Sequence, residues 1–102
     1  MLNISDDLLQ SRSLGVDTEF IRESTYFPKL ALIQFSTEYN NYIIDTQSIA
    51  SKNLLIDILT DNSKLKILHS AKQDLETIHR YFECFPINIF DTQIAFNLIS
   101  TT

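Results

Sequence analysis

The sequence predicts an α/β domain: three antiparallel strands, then alternating helix and strand in a mixed sheet. Three observations predict it. Short apolar and β-branched runs, separated by turn residues, fill the chain up to Asp45. Beyond that point, apolar faces at helical spacing alternate with brief apolar runs, the pattern of βαβ units. One Gly and two Pro in 102 residues argue against disorder and low complexity, and 44% apolar residues supply a core. The length allows one domain.

The elements follow in order. Ser5-Asp6-Asp7 reads as the start of a two-turn helix, with Leu8 and Leu9 as its apolar contacts. Leu14 to Phe20 reads as the first strand, weakened only at Gly15. Strand side chains alternate faces, so Asp17 and Glu19 share one side, while Thr18 and Phe20 point to a core. Pro28 bounds a loop. Lys29 to Ser36 and Asn41 to Asp45 form strands two and three around the turn Thr37-Glu38-Tyr39-Asn40, which implies antiparallel pairing.

Ser51 is a cap candidate for a helix from Lys52 to Thr60, whose apolar face is Leu54, Leu55, Ile58 and Leu59. Asn62-Ser63 breaks it. Lys64 to His69 reads as the fourth strand, with Leu65, Ile67 and Leu68 apolar. The intervening helix lets it lie parallel to the first by a right-handed crossover. His69-Ser70 turns into a helix from Ala71 to Phe82 with the stripe Leu75, Ile78 and Phe82. After Pro86, Ile87 to Phe90 reads as the fifth strand. Asp91 is an N-cap candidate for a helix from Thr92, which is apolar enough to need a partner.

Composition narrows the function classes. The net charge of −5 argues against a strong stand-alone nucleic-acid binder, though a metal nuclease is itself acidic until ions fill its site. The lone Cys84 cannot form an internal disulfide, so a reduced, cytoplasmic setting is expected. No apolar run reaches spanning length, no signal peptide is evident, and no membrane partner is expected. His69 and His79 lie far apart without Cys or His neighbours, which excludes a zinc pattern.

The chemistry-bearing residues are acids. Asp17 and Glu19, side by side on a rigid strand, repel each other unless a divalent cation sits between them. They could equally be a solvated strand face: Asp74/Glu76 is a second acid-x-acid pair among 13 acids. Asp74 lies on the first turn of its helix, where the dipole favours a carboxylate with or without a site. Glu76, two residues on, turns away. His69 is either a substrate contact or a satisfied polar residue at a strand end. Arg22 and Tyr26 are either substrate contacts or loop packing.

Three segments taken together carry a resemblance. Asp17-Thr18-Glu19-Phe20, with Arg22, Tyr26, Pro28, Leu30, Leu32, Ile33 and Gln34, resembles the first motif of RNase D-like 3′-5′ exonucleases, of the DEDD superfamily. His69 to Glu76 resembles the second motif, and Phe90 to Ala95 the segment that follows it. Phe20-Ile21-Arg22 stands where the proofreading and oligoribonuclease branches have a Thr- and Gly-rich turn, so the chain is most similar to the RNase D-like branch.

The resemblance implies a ribonuclease H-like mixed sheet, with residues 1–102 as the N-terminal part of an exonuclease domain truncated at its C-terminus. It implies hydrolysis of phosphodiester bonds from the 3′ end of single-stranded RNA, tRNA precursors among the substrates, with two divalent ions, Mg²⁺ or Mn²⁺. Asp17 and Glu19 would hold one ion, Asp17 would bridge to the second, and Asp74 would bind that one. Arg22, Tyr26 and His69 would meet the substrate, while Asp91 would be structural. The family's fourth acid belongs to a Tyr-x-x-x-Asp motif that has no match here, since Phe82, Glu83, Cys84 and Phe85 follow Tyr81. Two readings follow: a nuclease segment completed by a separate chain carrying the C-terminal part, or an inactive remnant serving as a binding or assembly piece.

Overall fold

Period-two alternation along the central strand decides which face of the sheet is covered. The structure is a computed structural model that describes residues 4–21, 29–46 and 49–100. The elements are α1 (Ile4–Gln10), β1 (Ser13–Ile21), β2 (Lys29–Ser36), β3 (Asn41–Asp45), α2 (Ile49–Thr60), β4 (Leu65–Leu68), α3 (Ala71–Phe82), β5 (Ile89–Asp91) and α4 (Thr92–Ser100). They form one five-stranded sheet of order β3-β2-β1-β4-β5. β1 pairs antiparallel with β2, which pairs antiparallel with β3, while β4 is parallel to both β1 and β5. This is the expected mixed α/β sheet.

Several boundaries moved, each for a local reason. α2 starts at Ile49, so Ser51 lies within the helix and is not its cap. A cap residue needs non-helical backbone, and Ile49-Ala50 is already helical. β4 loses Lys64, whose N–H closes a turn onto the Asp61 carbonyl at 3.1 Å. β5 starts at Ile89 because Asn88 has φ 60°, a left-handed conformation no strand residue adopts but Asn tolerates. Of the two leucines of α1 only Leu8 is buried; Leu9 is 50% exposed, since a two-turn helix offers the core a single stripe.

Leu14, Val16 and Thr18 of β1 are buried, and their register partners Phe35 and Ile33 carry that face across β2 to Ile44 of β3. Leu55, Ile58 and Leu59 of α2 and Ala71, Ile78 and Phe82 of α3 join the same core. The side chain of Phe20 lies outside the described residues. The opposite face is open: Asp17, Glu19 and Asn41 are exposed, and Ile43 is 67% exposed. α4 buries none of its residues.

β4 runs in the opposite phase to its apolar pattern. Lys66 and Leu68 face inward, whereas Leu65 and Ile67 are partly exposed. Lys66 is 0% exposed, and its ammonium donates to the Asp61 carbonyl at 2.6 Å and the Lys64 carbonyl at 2.7 Å. Burial pushes its pKa down, against the attraction of the Asp61 carboxylate. Lys64 is buried too, donating to the carbonyls of Leu9 and of Ser11. Both lysines thus bond carbonyls at or just past a helix end, Lys64 at α1 and Lys66 after α2.

Asp7 is the acidic counterpart. Buried on α1, it accepts from the Tyr42 hydroxyl at 2.6 Å and the Thr37 hydroxyl at 2.9 Å, tying α1 to the β2–β3 hairpin. The Tyr42 bond, with that of Thr37, holds its carboxyl below the usual range although burial opposes this. Among the described residues no buried side-chain polar atom lacks a partner.

Two outcomes are expected. Ile58→Ala removes a fully buried side chain from the α2 face and should cost about 2–5 kcal/mol in urea unfolding. Asp7→Asn should lower the melting temperature at pH 7. Because the folded pKa of Asp7 is depressed, its contribution is complete above the ordinary value of 3.8 and fades as pH falls through the lower folded value. The gap between the two proteins should therefore close in strong acid.

Candidate active site

The site begins on the open face of β1, where alternation leaves Asp17 and Glu19 exposed on either side of the buried Thr18. Asp17 Oδ1 accepts the Thr18 N–H at 2.9 Å. Gln34 lies opposite Asp17 and Leu32 opposite Glu19. Beyond Glu19 the ladder slips: Phe20 pairs with Leu30, leaving Ala31 as an extra residue on β2. Such a bulge sharpens the local twist, here next to the second acid.

The third acid arrives from α3. β4 ends at Leu68, and the chain turns through His69 and Ser70, the latter left-handed at φ 57°, ψ 61°. α3 then starts, with Asp74 half-buried on its first turn. Asp74 Oδ1 accepts a hydrogen bond from the Thr18 hydroxyl. Burial pushes the Asp74 carboxyl above the usual range, the negative charges of Asp17 and Asp91 push the same way, and the Thr18 bond opposes them. Asp74 is therefore close enough to Asp17 to be repelled by it.

This donor set is all oxygen and self-repelling, which fits a hard divalent cation. With Asp74 turned onto Thr18, the described residues do not draw three His, Cys, Asp or Glu side chains into one cluster around a single point. Glu76 is exposed on α3.

His69 lines the same open cleft as Asp17, a space of about 500 Å³ also walled by Gln34, Ile67, Leu68 and Thr92. Its Nδ1 lies 2.9 Å from the Thr92 hydroxyl, which itself donates to the Leu68 carbonyl at 3.2 Å. With the Thr92 hydrogen given to the Leu68 carbonyl, Nδ1–H is the donor to the Thr92 oxygen. Gly15 and Ser36 line the cleft as well; a Cβ on Gly15 would sit 3.2 Å from Ser36 Cβ, so the close strand approach there favours glycine. Arg22 and Tyr26 lie outside the described residues.

Sequence reasoning missed two participants. Thr18 was expected only to face the core; its signal was a polar residue at an inward strand position between two acids. Asp91 caps α4 as expected, its Oδ1 accepting the Gln93 N–H at 2.9 Å. It also accepts the N–H groups of Ser70 at 3.0 Å and Ala71 at 2.7 Å, a contact no local pattern encodes. The Ala71 bond, with those of Gln93 and Ser70, holds the Asp91 carboxyl below the usual range.

Comparison with known proteins bears on this arrangement. The chain matches the family described as 3′-5′ exonuclease over residues 1–102. Ribonuclease D of Desulfotalea psychrophila is 41% identical over 93 residues, 90% of this chain and 25% of that protein. Escherichia coli RNase D, an exoribonuclease involved in structured RNA processing, superposes with a TM-score of 0.80 at 35% identity, over 89% of this chain and 24% of that one. Brucella melitensis NrnC with bound Mg²⁺ gives a TM-score of 0.79 at 28% identity, over 93% of this chain and 48% of that one. The chain thus spans about a quarter of the length of the ribonuclease D relatives it matches. An acid-bearing central strand, a helix-borne third acid, a ribonuclease H-like sheet and a family match along its whole length agree: this chain belongs to the 3′-5′ exonuclease family, among its ribonuclease D-like members.

Proposed function

We propose that the chain is the acid-bearing part of a 3′-5′ exoribonuclease of ribonuclease D type, hydrolysing phosphodiester bonds from the 3′ end of single-stranded RNA. One observation carries the reading. α3 delivers Asp74 to the strand of Asp17 and Glu19, and it does so against the repulsion of Asp17. An arrangement that brings a desolvated carboxylate toward another acid becomes favourable when cations share them.

Asp17 and Glu19 would hold one ion, Asp17 would bridge to the second, and Asp74 would bind that one, with Mg²⁺ or Mn²⁺ as the metal. When bound, the two ions supply the activation of a water and the stabilisation of the leaving 3′ oxygen. The remaining work belongs to side chains. Thr18 orients the Asp74 carboxyl through its hydroxyl. His69, fixed by Thr92 beside Asp17, meets the substrate, with Arg22 and Tyr26 as further contacts by family likeness. Bound Mg²⁺ in NrnC and the role of Escherichia coli RNase D in structured RNA processing support the metal and the substrate class. tRNA precursors belong to the same proposal.

The fourth acid would come from a Tyr-x-x-x-Asp segment outside residues 1–102. The exposed Ile94, Leu98 and Ile99 of α4 support covering by such a segment, since a helix apolar on several sides is normally buried. A reduced, cytoplasmic setting is proposed from Cys84 alone. No helix among the described residues is long and apolar enough to cross a membrane.

The test is release of nucleotides from 3′-end-labelled single-stranded RNA with Mn²⁺ or Mg²⁺, by the chain and its Asp17→Ala variant. Metal-dependent release that falls about a hundredfold or more in Asp17→Ala is expected for loss of a bridging ligand. No release by either protein, with Mn²⁺ binding intact, would favour the inactive remnant. Unchanged Mn²⁺ binding in Asp17→Ala would reject the site assignment.

A further inference from the structure

Asp91 lies outside the three-acid set, yet it holds the segment that delivers one of them. Its two oxygens are already committed. Oδ1 accepts the N–H groups of Ser70 and Gln93 at 3.0 and 2.9 Å, and Oδ2 accepts the N–H of Ala71 at 2.7 Å. A carboxylate whose two oxygens already accept these backbone N–H groups, with Ile94 N–H as a further donor, is poorly placed to act as a metal ligand. It is well placed to join two helix starts, because the N-termini of α3 and α4 both present unpaired N–H groups and positive dipole ends to it.

The start of α3 has no other cap. Ser70 stands at its N-cap position in a left-handed conformation and gives the helix no side-chain bond. Instead its hydroxyl donates to Gln93 Oε1. Thr92 reaches back to the Leu68 carbonyl and to His69. The triplet Asp91-Thr92-Gln93 therefore clamps the turn Leu68 to Ala71. The core holds α3 at its first residue Ala71 and at Ile78 and Phe82, whereas Leu75 is only partly buried. Asp74 sits between, three residues beyond Ala71.

We propose that Asp91 is a positioning residue: by fastening the start of α3 to the start of α4, it sets where Asp74 meets Thr18 and the acid strand. The inference rests on the proposed role of Asp74 for its functional meaning, though not for its geometry.

The test uses the full 102-residue chain with Asp91→Ala, Asp91→Asn, Asp17→Ala and the mild core control Ile44→Val. Two readouts are taken below the melting temperature of every variant: the nuclear Overhauser contact between the Thr18 methyl and the Asp74 β-protons, and Mn²⁺ affinity from the electron paramagnetic resonance of free Mn²⁺. Asp91→Ala should lose the contact and bind Mn²⁺ about tenfold or more weakly, the scale for a group orienting a ligand. Asp91→Asn, with one oxygen left, should fall between, and Ile44→Val should change neither. If Asp91→Ala does not fold, Asp91→Asn carries the decision by the same criteria.

An unchanged contact overturns the inference. If Mn²⁺ affinity is nonetheless lost, Asp91 is a direct ligand. Changes that Ile44→Val reproduces in proportion to its own loss of stability overturn it as well. A lost contact with Mn²⁺ binding indifferent to Asp17→Ala leaves the positioning role standing and removes the metal reading instead.

Discussion

Everything in this fold hangs on the alternation of β1. It is the middle strand of five, bonded on one side to an antiparallel neighbour and on the other to a parallel one. Leu14, Val16 and Thr18 must all face the helices, because a slip of one residue would bury Asp17 and Glu19 and expose the core. The same constraint that holds the sheet to α2 and α3 thus holds two acids on the open face. Thr18 is where the two demands meet: it is buried like its apolar neighbours, yet its hydroxyl serves the third acid.

The chain treats its helix ends with matching logic. Lysines sit where helices run out: Lys64 takes the carbonyls of Leu9 and Ser11 around the end of α1, and Lys66 takes the carbonyl of Asp61 just past α2. An aspartate sits where helices start, with Asp91 at the first N–H groups of both α3 and α4. Each charge has the sign that the helix dipole favours. Buried ammonium groups are costly unless hydrogen-bonded, and these lysines meet that cost with backbone carbonyls, two each. The bonds of Lys64 and of Asp91 to Ala71 are long in sequence, so they fix how helices sit on the sheet as well as ending them, whereas those of Lys66 are local.

Charge is concentrated against itself around β1. A net −5 chain that places Asp74 within the influence of Asp17 and Asp91 holds the Asp74 carboxyl in an unfavourable state as an anion. Such opposition is common where a protein sets out ligands for an ion, and it gives the proposed site its physical rationale. The open face of the sheet and the uncovered α4 show that the described residues leave apolar surface unshared. Parallel strands are normally covered on both faces, and here Ile67 of β4 and Phe90 of β5 keep exposed surface.

What the sequence determined by itself was local and periodic. The strand pattern of Lys29 to Ser36 and Asn41 to Asp45, the helix from Ala71 to Phe82 and the shared face of Asp17 and Glu19 all follow from neighbours a few residues apart. The three motif segments were legible for the same reason, and the family match follows from them. What only the tertiary structure decided was contact over distance. Lys66 reads as a polar interruption until β4 takes its register against Leu14, and then it is buried on the same face as Leu68. Asp91 reads as a local cap until β5 pairs beside β4 and brings it to the start of α3, twenty positions back. Thr18 and Asp74 are 56 residues apart and meet only because the sheet and helix pack. Period and propensity act over one or two turns of chain, whereas a buried charge or a shared carboxylate acquires its partner only when distant segments fold together.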